Sequence, residues 1–170
     1  MPATRQDLFA RLESLGIATR TVAHEPVFTV AESAELERDI PGGHSKSLFL
    51  QDTQGAIFLV VAESRTRVDL KALAAKLGAR RLSFGSPDLL LKVLGVTPGS
   101  VTPFALINDG QRGLAAVVVD AGLERHATVN CHPLENTATT NIAWDDLLRF
   151  IRACGYEPRI ALLGNALSGP

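Results

Sequence analysis

The sequence predicts a single α+β domain, a mixed central β-sheet flanked by helices, covering residues 1–170 with its core over about 4–163. Three observations predict it. A length of 170 residues suits one hydrophobic core. Short apolar runs of strand length are interspersed with capped, helically periodic segments, without the strict strand–helix–strand rhythm of a parallel sheet. No repeat, linker or low-complexity stretch divides the chain.

The elements follow in order. Thr4 caps a first helix, with Asp7 three residues on, Leu8, Leu12 and Leu15 in helical period, and Gly16 as a stop. Residues 17–23 alternate as a strand, and His24-Glu25-Pro26 turns the chain. Thr29 with Glu32 forms a second capping box for a helix to about Arg38. A loop over 41–45 leads into two apolar runs, 47–50 and 56–62, joined at Asp52-Thr53-Gln54-Gly55 as a hairpin. Asp69 caps a helix over 70–77 that stops at Gly78, and a strand over 80–84 follows. Ser86 with Pro87 opens a helix ending near Gly95. Prolines stiffen the loop over 96–103. Residues 104–107, 115–119 and 125–131 are expected as strands, Trp144 to Cys154 as an amphipathic helix closed by Gly155, and 160–163 as a last strand.

Composition narrows the function classes. A hydrophobic fraction of 46% and a charged fraction of 21% exclude disorder. A net charge of -1 argues against a strongly basic duplex binder, although a local basic groove stays open. Arg65-Thr66-Arg67 and Arg80-Arg81 are the short basic patches, both expected as solvated surface. Two cysteines, Cys131 and Cys154, make neither a disulfide framework nor a four-ligand zinc site, so they are expected as buried reduced thiols. The longest apolar run, 56–62, is far short of the roughly 18 residues that span a bilayer. The N-terminus lacks the pattern of a secretory signal, so a cytoplasmic protein without membrane contact is expected.

Three segments could carry chemistry. Gly42-Gly43-His44-Ser45-Lys46-Ser47 has a Lys-Ser pair behind glycines, but Ser45 and Ile40 stand where a phosphate loop needs Gly, and a strand follows rather than a helix. What remains is a lysine at a strand entrance, either a solvated charge or a grip on a phosphate. Gly99 to Pro103 is either a tight connection or a loop presenting backbone N–H groups to a carbonyl. In the third, His126 to Pro133, strand alternation puts Thr128, Asn130 and His132 on one face and Val129 and Cys131 on the other. Cys131 then faces the core rather than pairing with His132 as nucleophile and base. His132 is either a hydrogen-bonded structural residue or a cleft residue. A nucleophile elbow, a zinc-helix motif and a dinucleotide fingerprint are absent, and His24 with Glu25 lacks a further nearby ligand.

Taken together, HEPVFTVAES at 24–33, GGHSKSLFL at 42–50, Gly99-Ser100-Val101-Thr102-Pro103 with Phe104, and CHPLENTATTNI at 131–142 resemble, in order, the YbaK-like, prolyl-tRNA synthetase-associated editing domains. The similarity is greatest to free-standing deacylases that clear alanine from proline tRNA. It implies an α+β editing domain acting in trans on the acceptor end of mischarged tRNA. A monomer without a cofactor or metal is the default expectation, and prolyl-tRNA synthetase or an elongation factor is a candidate partner that the sequence leaves open. It further implies that Lys46 holds a phosphate of the tRNA 3′ end, that Gly99 and Ser100 position the aminoacyl carbonyl and terminal ribose, and that His132 lines the amino-acid pocket. His44, Ser47, Leu48 and Phe49 beside the lysine, and Val101 and Pro103 in the loop, are the implied substrate contacts. Ser47 departs from the Asn that relatives often carry, and His44 from their Thr, which bears on which amino acid is removed. An activated ester needs no covalent nucleophile, because an oriented water and a polarised carbonyl suffice. Lys46 is then a positioning cation, and the substrate's own 2′-hydroxyl is a candidate to orient the water. Two alternatives remain: a deacylase for cysteine or serine, and a non-catalytic nucleic-acid-binding module on the same fold.

Overall fold

The computed structural model describes residues 1–27 and 30–164. Helix α1 (Arg5–Ser14) is closed by the expected capping box, in which Thr4 Oγ1 accepts from the Asp7 N–H and Asp7 accepts from the Thr4 N–H at 2.8 Å. Strand β1 (Thr19–Ala23) follows, then α2 (Val30–Asp39). The Thr29 cap expected for α2 lies outside the described residues. Strands β2 (Gly43–Asp52) and β3 (Ile57–Glu63) form the expected hairpin, with Asp52 Oδ1 accepting from the N–H groups of Gln54 and Ala56. Helix α3 (Leu70–Leu77) runs from its Asp69 cap to Gly78, and β4 (Leu82–Phe84) leads to α4 (Pro87–Leu94), capped by Ser86. After two short 3₁₀ turns come β5 (Ala116–Asp120), β6 (Thr128–Cys131), β7 (Ala138–Ala143), α5 (Trp144–Ala153) and β8 (Arg159–Ala161).

Four expectations are corrected. Residues 104–107 are not a strand but lie in a 3₁₀ helix, Pro103–Asn108, because Pro103 fixes the first φ and Thr102 caps the Phe104 N–H. The strand expected over 125–131 is only β6, since Asp120 caps a 3₁₀ turn over Ala121–Arg125. Strand β2 begins at Gly43 rather than at Ser47. Strand β7 was not expected: Ala-Thr-Thr-Asn carries little apolar contrast, yet Ala138, Thr140 and Ile142 are buried.

The eight strands form one mixed sheet in the order β1-β7-β6-β2-β3-β5-β8, with β4 also paired to β2. Strand β3 is buried on both faces, which is why its apolar run is continuous. Leu59 and Val61 pack with α1, α4 and α5, where Phe104 and Phe150 meet edge to face at 5.4 Å. Phe58, Val60 and Ala62 pack on the other side, with Leu73 and Ala74 of α3. Among the described residues no helix is long and apolar enough to cross a membrane.

One edge of β2 sets up the site. Along the other edge, Ser45 to Gln51 pair continuously with β3. Along this one, only Gly43 and His44 pair with β6, and only Leu50 to Asp52 pair with β4. Between them, over residues 45–48, no strand covers the edge among the described residues, and β6 peels away.

Candidate active site

The uncovered edge floors a cavity of about 470 Å³, a typical size for a small-ligand site. His44, Ser45, Lys46 and Ser47 form its β2 wall, Pro98, Gly99 and Val101 a second, and Asn130, Cys131, His132 and Thr139 a third. Residues of α2 and the preceding turn complete it.

The polar wall follows from strand alternation. Val129 and Cys131 of β6 turn into the core, as expected, while Asn130 faces the other way. Asn130 is nearly fully buried and donates to the carbonyls of Pro41 and Gly43 at 3.0 and 3.3 Å. Its Oδ1 accepts from Asn141 Nδ2 at 2.9 Å, and Asn141 also donates to Thr128 Oγ1. This amide cluster clamps the entry to β2 and so fixes where Lys46 emerges. Ser45 Oγ donates to the Asn130 carbonyl at 2.7 Å, tying β2 to β6 where the backbone ladder ends.

Lys46 joins no ion pair among the described residues. Glu37, which lines the cavity from α2, is held by Ser64 Oγ and by Arg65 Nε at 3.3 Å. The cavity therefore presents a lysine that is not paired with the one carboxylate in its lining among the described residues, which suits a phosphate.

His132 Nδ1 lies 3.3 Å from the Ala138 carbonyl. A carbonyl only accepts, so the proton sits on Nδ1 and Nε2 carries the lone pair of the neutral ring. Burial, reinforced by repulsion from His24, pushes the imidazole below its ordinary value of 6.5. As pH falls through about 6.5, the unfolded chain therefore takes up the proton first. The contribution of His132 to stability is complete above that pH and is lost as pH drops toward the lower folded-state value. We expect the urea midpoint to fall on acidification in this window, and to fall less in His132→Asn. Equal slopes in the two proteins would refute it.

The thiols are poor nucleophiles. Burial raises Cys131 to about 12 and Cys154 to about 11. Iodoacetamide at neutral pH should leave both unmodified in the folded protein, as read by intact mass, and rapid alkylation of Cys131 would contradict this. Among the described residues no three His, Cys, Asp or Glu side chains gather as a metal site.

Of the residues that sequence reasoning singled out, Lys46, Gly99, His132, His44, Ser47 and Val101 share this cavity. Four do not line it. Phe49 is buried in the main core and Leu48 packs on the opposite side of the sheet. Pro103 and Ser100 are buried away from the lining. The Ser100 N–H donates to the Thr97 carbonyl at 2.9 Å, so it is committed within the loop. The Gly99 amide makes no such bond among the described residues. Sequence reasoning missed Ser45, Asn130 as a clamp, and Thr139. The last two lie in strands whose polar alternation, Thr-x-Asn in β6 and Thr-x-Asn in β7, was the available signal. Arg65 and Arg67 are exposed, as expected, and both also line a second groove of about 580 Å³ that shares His44, Glu37 and Ser64 with the first.

Comparison with known proteins gives consistent results. Residues 24–150 match the model of the aminoacyl-tRNA editing domain. The chain is 36% identical over 152 residues to the prolyl-tRNA editing protein ProX of Acetoanaerobium sticklandii, covering 89% of this chain and 92% of that one. It is 37% identical over 158 residues to the prolyl-tRNA synthetase associated domain-containing protein 1 of Danio rerio, covering 92% and 85%. A crystal structure described as a candidate trans-editing enzyme for prolyl tRNA synthetase superposes with a TM-score of 0.75 at 19% identity, covering 98% of this chain and 99% of that one.

Proposed function

The chain belongs to the aminoacyl-tRNA editing domain family, and on that premise we propose that it is a trans-editing deacylase that hydrolyses the ester of mischarged tRNA, with alanine on proline tRNA as its substrate. One observation carries the reading beyond the family: Lys46, Gly99 and His132, distant in sequence, line one cavity with an uncovered strand edge as its floor.

The reaction needs little covalent machinery. Water adds to the ester carbonyl, negative charge develops on the carbonyl oxygen, and the bond to the ribose oxygen breaks. That oxygen takes a proton, leaving a 3′-hydroxyl and a free amino acid. Lys46 holds the terminal phosphate as a point charge. The Gly99 amide is the loop's donor to the developing oxyanion, because the Ser100 amide is already bonded. Neutral His132 positions the amino acid or the water through Nε2. The substrate's 2′-hydroxyl orients the attacking water. A synthetase pocket built for proline rejects smaller alanine by only about 1–3 kcal/mol, which is why a second, smaller sieve is useful.

The deciding experiment incubates the protein with alanyl-tRNA of proline specificity and follows ester loss, beside seryl-, cysteinyl- and prolyl-tRNA. Release of alanine well above the buffer rate, with the prolyl ester spared, is expected. Preference for seryl or cysteinyl ester would reassign the amino acid. Binding without cleavage would make the domain a nucleic-acid-binding module.

The Gly99 assignment has its own test. A methyl group at Gly99 would meet only Asn136 Nδ2, at 3.4 Å, and the backbone there is not in the left-handed region. Gly99→Ala should therefore fold with a melting temperature near wild type. It should nevertheless lose roughly 10-fold or more in kcat/KM, because the methyl stands where the carbonyl must approach. Full activity would remove Gly99 from the site.

A further inference from the structure

His24 follows the last residue of β1, and the Glu25 carbonyl lies 2.8 Å from its Nδ1. Its Nε2 lies 2.8 Å from Thr139 Oγ1, across a sequence separation of 115 residues. The carbonyl can only accept, so in the neutral ring Nδ1 carries the proton and Nε2 the lone pair. The Thr139 hydroxyl must then donate to Nε2. Its proton is spent on His24, and only oxygen lone pairs remain for any further partner. Thr139 is 6% exposed and lines the cavity.

The neighbouring histidine obeys the same logic. The antiparallel register that sets Cys131 opposite Thr140 brings His132 alongside Thr139. His132 also spends its Nδ1 proton on a backbone carbonyl. Two adjacent side chains on one wall are thus turned into acceptors by fixed partners behind them. The other walls carry Lys46, a cation in no ion pair, and Gly99, whose amide makes no backbone bond among the described residues. An aminoacyl ester is divided in the same way: its phosphate and carbonyl accept, and its α-nitrogen donates.

Resting on the deacylase reading above, we propose that Thr139 contacts the α-nitrogen of the aminoacyl group, and that His24 is a positioning residue which turns the Thr139 hydroxyl so that its lone pairs face the substrate. This gives a role to His24, which sequence reasoning left without one, and sets the direction in which the amino acid lies.

Two measurements test it. Imidazole ¹⁵N spectra of the free wild-type protein at about pH 8, where ordinary histidines are neutral, should show His24 protonated on Nδ1. A ring protonated on Nε2 overturns the proposal whatever the activity. The second is a kinetic cycle on alanyl-tRNA. Thr139→Val should lower kcat/KM by about 10-fold, and Thr139→Ser should recover it to within about threefold. His24→Ala should cost several-fold in the wild-type background and almost nothing beside Thr139→Val. With propionyl-tRNA, which lacks the α-nitrogen, the Thr139→Val loss should disappear. Wild-type rates in Thr139→Val, or an undiminished His24 effect beside it, refute the coupling. A wild-type protein that cleaves no aminoacyl-tRNA removes the deacylase reading and the substrate contact with it, while the tautomer still reports on the hydroxyl alone.

Discussion

Replacing Lys46 by alanine is expected to lower kcat/KM on alanyl-tRNA by about 10- to 100-fold, the worth of one charge-assisted contact. Stability should stay within about 0.5 kcal/mol of wild type, because Lys46 joins no ion pair and its loss orphans no buried charge. The two readouts together separate a phosphate grip from a structural lysine. The loss should appear mainly in KM if the contact is the same in ground and transition states, and it should shrink in high salt, where the competing ions screen the charge. Arginine should rescue only in part, since its planar fork does not reproduce a compact ammonium. Unchanged turnover in Lys46→Ala would remove the residue from the mechanism.

Gly42→Ala should damage the fold strongly, costing about 2–5 kcal/mol in urea unfolding, as backbone strain and overpacking add. Gly42 has φ +104°, and a methyl there would lie 2.5 Å from Thr128 Oγ1 and 2.9 Å from Asn141 Nδ2. Neither atom is free to retreat, since the two are bonded to each other at 2.9 Å and Asn141 also holds Asn130. Gly55 is the internal control. It has φ +90° but no atom within 4 Å of the added carbon, so Gly55→Ala should cost only the strain, about 1 kcal/mol. Equal costs at the two positions would show that the amide clamp does not press on Gly42. If the variant still folds, its activity should fall as well, because the clamp sets the exit direction of Lys46.

Much of the fold was legible where local chemistry decides it. Thr4 with Asp7, Asp69 before Leu70, and Ser86 before Pro87 each announced a helix that the backbone forms, since a cap acts within four residues. The errors arose where distant partners decide. Residues 104–107 look like a strand by their apolar run, but Pro103 and the packing of Phe104 on Phe150 make them a 3₁₀ turn in the core. Strand β7 has no apolar signature because one face of it serves an amide cluster. The start of β2 was hidden for a related reason: its first residues are polar because they face a cavity rather than the core.

The site was legible in the same uneven way. Motif resemblance pointed to Lys46, Gly99 and His132, and the cavity holds all three. It also implied Leu48 and Phe49 by adjacency to the lysine. In β2, however, Phe49 takes the face opposite to Lys46, and Leu48, although on the lysine's own face, lies far enough along it to pack on the core of that side. His24 and Thr139 meet only because β1 pairs with β7, a contact that sequence spacing does not reveal.

Strand β2 meets β6 through only the pairs Gly43–Val129 and His44–Asn130, while each flanking set of strands is laddered at length. The domain thus resembles two banks joined by a short bridge, with the reaction held in the channel between them. Side chains on either bank can change without loosening the ladders that keep that bank intact. Cavity residues that take no part in that bridge, such as Ser47 and Val101, are therefore free to vary, whereas Asn130 serves the pocket and the join at once.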